Sequence, residues 1–198
     1  MTRYPAGHRE RTRRQILDAA ARVLREKGVD GTSVADVMAS AGLTHGGFYA
    51  HFPNKDALVA EACRSAVDQT GEALGAVMED VGEEDRFAAY LRAYLSRTHR
   101  DDPGAGCLMP PLAGEMPRQP PEVRAAFTGQ VRRALERTEA NLPPGVDPAE
   151  REDVAIAVLA GMAGAMMLAR AVDDPALSDR ILRATRHVLT ETFGAAGD

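Results

Sequence analysis

Wherever apolar residues of this chain recur with a clear period, the period is that of an α-helix. Ile16, Ala20, Val23 and Leu24 step by i, i+4, i+7 and i+8, laying one apolar stripe on a first helix, with Gly28 where a left-handed stop is wanted. Thr32 or Ser33 can cap a second helix, with Asp36 in the capping-box position and Val34, Val37 and Met38 facing inward. Thr44 can cap a third, which Pro53 must end, and Asn54 with Asp56 opens a fourth whose stripe is Val59, Cys63, Ala66, Thr70, Ala73 and Val77. Farther on, Phe87, Tyr90, Leu91, Tyr94 and Leu95 mark an amphipathic core helix, as do Phe127, Val131, Ala134, Leu135 and Thr138. Two last helices are expected over roughly 148–172 and 176–193, and the stretches DDPGAGCLMPP, MPRQPP and LPPGVDP supply the breaks. No segment alternates as a half-buried strand would, so the expected fold is all-α.

At 198 residues, 44% hydrophobic and 27% charged, the chain has ample material for a core, and its two cysteines exclude a disulfide scaffold. A reduced, cytoplasmic setting fits, since MTRYPAG lacks the apolar core of a signal peptide. The longest uncharged apolar run, Val154 to Ala169, stops short of the roughly 18 to 20 residues that cross a bilayer and is closed by Arg170. It reads as a buried helix, with no membrane partner. His45 and His51 lie six apart with no cysteine or carboxylate beside them, and no phosphate-binding loop occurs, so neither a metal nor a cofactor is expected.

The net charge of −5 is unevenly spread. Residues 1–60 carry nine Lys/Arg against six Asp/Glu, whereas the remainder carries 15 against 23. A basic head thus sits on an acidic body. Within the head, GLTHGGFYAHFPNKDAL is a poor helix by propensity, each interior glycine costing about 1 kcal/mol against alanine. Two short helices joined by a glycine-containing turn and preceded by a basic amphipathic helix match the helix-turn-helix arrangement, whose second helix enters the major groove. That helix would be Thr44 to His51, with Gly46 and Gly47 allowing close approach to DNA. Thr44, Tyr49, His51 and Lys55 would hold phosphates. Phe48 and Phe52 would be core, because duplex DNA offers no unstacked base. Arg9, Arg11, Arg13 and Arg14 are either a solvated face, or phosphate contacts or an arm in the minor groove.

The segment GTSVADVMASAGLTHGGFYAHFPNKDALVAEA closely resembles the DNA-binding region of the TetR family of bacterial transcriptional regulators, over roughly residues 10–62. Gly46, Tyr49, Phe52, Lys55 and Leu58 carry the likeness. The resemblance implies phosphate contacts from Thr32 or Ser33, Thr44, Tyr49, His51 and Lys55, and base-edge or groove contacts around His45 and Gly46. Gly47 departs from relatives that place Thr or Ser there, and His45 from those that place Lys or Arg. It also implies division into an N-terminal DNA-binding domain, 1–54, and a helical ligand-binding domain, 55–198, that forms a homodimer through its last two helices. The partner would be a double-stranded, palindromic operator, and the protein a repressor released by a small molecule or an electrophile.

Small residues Ala157, Gly161 and Ala165 step by four along the first of those helices, while Ile181, Leu182, Val188, Leu189 and Phe193 give the second a wide apolar face. An intramolecular core would produce the same pattern. A pocket would draw on Phe87, Tyr90, Tyr94, Leu108, Met109, Met116, Phe127, Met162 and Met166, each of which is equally a core residue. Cys107 follows a flexible glycine segment and starts a short helical stretch whose N-terminal dipole can favour a thiolate, although a small buried hydrophobe reads the same way. Gly106, Cys107, Leu108 and Glu115 resemble a GCL…E signature of a TetR subgroup, which implies sensing of electrophiles or oxidants by Cys107. Two other readings compete with a regulator: a helical thiol enzyme using Cys107 with His99 as base, for which His99 has no recognisable orienting partner, and a non-enzymatic helical binding protein.

Overall fold

The computed structural model describes residues 7–194, except for the side chains at 67 and 68. The opening MTRYPA, with Arg3, and the closing AAGD lie outside the described residues. The chain forms α1 (His8–Lys27), α2 (Val34–Ser40), a 3-10 segment (His45–Ala50), α3 (Lys55–Met78), α4 (Glu83–Tyr94), α5 (Arg97–Asp101), α6 (Met109–Leu112), α7 (Pro121–Ala140), α8 (Arg151–Ala171) and α9 (Pro175–Phe193). Two further 3-10 turns, Pro103–Ala105 and Met116–Arg118, fill the Pro/Gly-rich breaks. The described residues contain no strand, and the fold is all-α as expected.

The ends of the first helices follow the sequence signals closely. Gly28 stops α1 at φ +73. Ser33, not Thr32, caps α2, in a complete capping box with Asp36. Asn54 caps α3 by accepting from the amide of Ala57 at 2.8 Å. The expected third α-helix is instead a 3-10 segment, with Thr44 flanking it but making no side-chain cap. Two glycines in six residues weaken i→i+4 propagation, so the amide of Gly47 bonds Thr44 and that of His51 bonds Phe48, three residues back.

One apolar cluster gathers Ile16, Leu24, Val37, Met38, Phe48, Phe52 and Leu58, all at most 1% exposed, and continues through Leu108, Leu112, Met116, Val123 and Ala126. The head therefore shares its core with α6 and α7. A second cluster holds Phe87, Tyr90, Leu91, Tyr94, Met162 and Met166 between α4, α7, α8 and α9. The stripe expected along α3 leaves the core midway. Val59, Cys63 and Ala66 are buried, but Ala73 and Val77 face outward and Met78 turns in instead, although Val59 and Val77 share one face of an ideal helix: the first half of α3 packs in the head cluster and Met78 in the body cluster, so the buried face changes with the neighbours.

α8 is long and apolar enough to cross a bilayer by length and composition, and it is the one such helix among the described residues. Here it packs on α7 and α9, burying Val158, Leu159, Met162, Ala165, Met166 and Ala169. The sequence reading of a wholly buried helix needs correction, since Ile156, Met167 and Leu168 are about half exposed. The small-residue stripe is also displaced: a Cβ at Gly161 would meet Leu189 of the same chain at 3.7 Å, whereas one at Gly164 would meet nothing. Ile156, Ala160, Gly164 and Met167 line a groove against α7, and on α9 Leu177 and Val188 are exposed.

Candidate nucleic-acid interface and effector site

The 3-10 segment is a ledge on the head. Phe48 is completely buried below it and stacks on Phe52 with ring centroids 5.8 Å apart, so both phenylalanines are core. On its outer side Thr44, His45 and Gly46 are exposed, and Tyr49 is 66% exposed although it is large and apolar. A Cβ at Gly46 would meet nothing within 4 Å, and one at Gly47 only the Met38 methyl at 3.8 Å. Internal packing therefore does not demand glycine at either position. The segment is tied down at its C-terminal end, where Arg9 of α1 donates to the carbonyl of Ala50 at 2.8 Å.

Three of the remaining expected phosphate contacts, Thr32, Ser33 and Lys55, already have internal partners. Thr32 is buried and its hydroxyl donates to the Gly28 carbonyl, which turns it away from any ligand. Ser33 is exposed but engaged with Asp36, whose carboxyl is held down at about 2 by the Ser33 hydroxyl first and Lys27 second. Lys55 donates to the Val29 carbonyl at 2.7 Å, bracing the turn after α1 with an ammonium that keeps two further N–H donors. His51 is partly buried with Nδ1 lacking a partner; burial, then the charges of Arg9 and Arg13, lower its pKa and hold the ring neutral. Of the arginines, Arg13 is committed to Glu61 and lies 4.6 Å above the Phe52 ring, while Arg11 and Arg14 are exposed.

Cys107 lies in the body just before α6, 6% exposed, and accepts from the amide of Met109 at 3.4 Å. Burial pushes its thiol up, against the Met109 amide, Tyr94 hydroxyl and Arg25 guanidinium, which pull down. The short α6 thus does not supply the thiolate that the sequence position suggested. His99 does have orienting partners, contrary to the sequence reading: Nδ1 donates to the Tyr94 carbonyl at 2.7 Å, leaving Nε2 to accept from the Cys107 amide at 3.0 Å. With both ring nitrogens bonded to backbone, His99 is not placed as a base for the thiol. Burial also lowers its pKa.

Tyr94, nearly fully buried with its hydroxyl beside the Cys107 thiol, lines a cavity of about 380 Å³ together with Leu74, Val77, Ala93, His99 and Gly106. The other expected pocket residues do not converge there. Met109 and Phe127 line a separate apolar groove of about 370 Å³ between α7 and α8. Phe87, Tyr90, Met162 and Met166 fill the body core, and Leu108 and Met116 the head core. Sequence reasoning missed Leu74, Val77 and Gly106 as cavity residues, and no local pattern marks them as such.

Head and body are joined by polar contacts as well. Arg25 of α1 is 5% exposed and donates to the carbonyl of Gly104 at 3.1 Å, three residues before Cys107. Glu115 accepts from the amides of Val29 at 2.6 Å and Asp30 at 3.2 Å, and its carboxylate fills the space that a Cβ at Gly28 would take. The α1 terminus is therefore held by the segment that carries Cys107.

Residues 16–62 match the sequence model of bacterial regulatory proteins of the tetR family, and residues 84–185 that of the tetracyclin repressor-like C-terminal domain. The transcriptional regulator TtgR of Pseudomonas putida is 36% identical over 95 residues, 48% of this chain and 45% of that regulator. The chain thus spans about half the length of that relative. An uncharacterised regulator of Mycobacterium tuberculosis is 25% identical over 185 residues, 89% of this chain and 93% of its own length. Among solved structures, the reduced form of E. coli NemR superposes with a TM-score of 0.76 at 19% identity, over 91% of this chain and 96% of that one. A TetR-family regulator from Agrobacterium tumefaciens gives 0.76 at 20%, over 94% and 99%. Both establish the likeness of fold.

Proposed function

Because the chain belongs to the tetR family of bacterial regulatory proteins, we propose that it binds a palindromic DNA operator as a cytoplasmic homodimer and represses transcription until an effector releases it. The observation that carries this reading is the ledge His45–Ala50, whose outer side of Thr44, His45, Gly46 and Tyr49 is exposed and whose glycines answer no internal packing need. Close backbone approach to DNA gives those glycines a purpose. Tyr49, Thr44 and Lys55 position the segment on phosphates, Arg11 and Arg14 add charge, and His45 faces base edges. His51 takes part as a neutral donor, and Ser33 through the helix end it caps rather than through its hydroxyl. The head occupies about residues 1–54 as a functional unit, although its core is shared.

The outward apolar faces of α8 and α9 support the dimer, which would set two ledges about one DNA turn, roughly 34 Å, apart. Release follows from whatever moves the segment 104–115, since Arg25 and Glu115 transmit its position to the end of α1. Two events act there: a small molecule entering the cavity beside Tyr94, or an electrophile adding to Cys107. Either favours a body conformation in which the ledges no longer match successive grooves, and lowers operator affinity by its differential affinity for the two states.

Selection of sites from a random DNA pool by the purified protein, at two salt concentrations and with or without a mild oxidant, tests the reading. A palindrome is the expected product, lost on oxidation if Cys107 is the sensor. No enrichment under any condition overturns the regulator. Cys107→Ser should bind the same palindrome and resist release by the oxidant; unchanged release removes the cysteine from the mechanism.

A further inference from the structure

A cleft of about 600 Å³ opens between the C-terminal end of α1, the segment 100–111 and the C-terminal end of α8. Arg25 of the head and Arg170 of the body both line it. Neither guanidinium has an ion-pair partner among the described residues. Arg25 donates to the Gly104 and Ala66 carbonyls and to Gln69 Oε1, with Nε unpartnered. Arg170 donates to the carbonyls of His99 and Arg100, with Nη1 unpartnered. A buried cation solvated only by neutral oxygens retains much of its desolvation cost, and an opposite charge alongside recovers a large part of it.

The carboxylates nearby fill that role only from beyond ion-pair distance, Asp18 acting on Arg25 and Asp101 and Asp102 on Arg170. Glu26 is paired with Arg22, and Asp101 with Arg100, whose guanidinium also binds Asp179. Asp173 is the remaining acid on the cleft wall. The other walls are largely apolar, from Pro103, Pro110, Pro111, Met167, Ala169 and Val172. We propose that this cleft binds a small amphipathic anion, a carboxylate on an apolar skeleton, with its charge between Arg25 and Arg170 and its skeleton against the prolines and Met167. Because Arg25 belongs to α1 and Arg170 to α8, the ligand bridges head and body. Only the consequence for DNA rests on the regulator reading.

Calorimetric titration of the full chain, without DNA, with octanoate and with acetate tests the site. Saturable octanoate binding at least tenfold tighter than acetate is expected, weakened at least tenfold in Arg25→Gln and in Arg170→Gln. Arg25 is buried, so a variant that leaves the core untouched is included: Asp173→Lys removes the rim carboxylate and should tighten binding severalfold. Absence of saturable binding, equal binding of acetate and octanoate, or indifference to all three substitutions overturns the site. Octanoate binding with no effect on operator affinity would leave the site standing and count against its role in release, so the two failures are distinguishable.

Discussion

The head and the body of this protein use similar helices but expose them differently. In the head, nearly every helix end is written by a local residue: Gly28 at positive φ, the Ser33–Asp36 capping box, Gly42 at φ +67 and the Asn54 cap. Its outer ledge keeps polar groups and a tyrosine in solvent above a dry aromatic core. In the body the ends are irregular, prolines stand in the first turns of α6, α7 and α9, and apolar space opens beside Tyr94 and between α7 and α8. The head presents a polar ledge over a closed core, whereas the body holds space. That contrast fits the proposed division into a DNA-reading head and an effector-binding body.

The contrast is broken most severely by emptying either core. Phe48→Ala should cost about 3–5 kcal/mol and Phe87→Ala a similar amount. If the shared cluster joins head to body, calorimetry should record one cooperative transition in each variant. Two separate transitions would show the head unfolding alone. Next comes the link itself. Gly28→Ala forces a side chain into left-handed backbone and against Glu115, and should cost about 1–3 kcal/mol. Glu115→Gln should cost about 1–2 kcal/mol by weakening two charge-assisted bonds, read as a lower midpoint in urea.

Tyr49→Ala sharpens the comparison from the other side. An exposed side chain on the ledge should change stability by less than about 0.5 kcal/mol, while weakening binding to all DNA sequences alike. A sequence-selective loss would contradict a phosphate role. Lys55→Ala should lower the salt slope of binding by about 1 and also loosen the turn at Val29. The smallest effect concerns pH. His99 in the body and His51 in the head both have lowered pKa values, with burial as the leading cause. The unfolded chain then takes up protons first, so this contribution is complete above about pH 6.5 and is lost as pH falls toward the folded values. Thermal midpoints should fall between pH 7.5 and 5.5, and less steeply in His99→Gln; an unchanged slope would remove His99 from that balance.

Much of the head was legible because its signals are short-range. A cap and its partner lie three residues apart, and an apolar stripe within two turns fixes which face is buried. Even there the sequence does not record that Thr32 and Lys55 bond backbone carbonyls of the turn after α1, whatever else they bind. A side chain's type declares what it can bond, and only its neighbours decide what it does bond. In the body the same ambiguity is general. Phe87, Met162 and Met109 are equivalent as apolar residues in the sequence and all three join the body core, but Met109 also lines the groove between α7 and α8.

The sequence by itself determined that the fold is all-α, where its first helices stop, and that Gly46, Tyr49 and Lys55 fall within one stretch that matches the tetR-family model. These follow from periodicity, capping and spacing, which act over a few residues. Only the tertiary structure decided that Glu115 closes the turn at Gly28, that His99 supports the Cys107 backbone instead of its thiol, and that Arg25 and Arg170 share one cleft. Each joins residues that the packing of whole helices brings together, 86 positions apart in the hydrogen bond from Val29 to Glu115, and no local pattern records such a meeting.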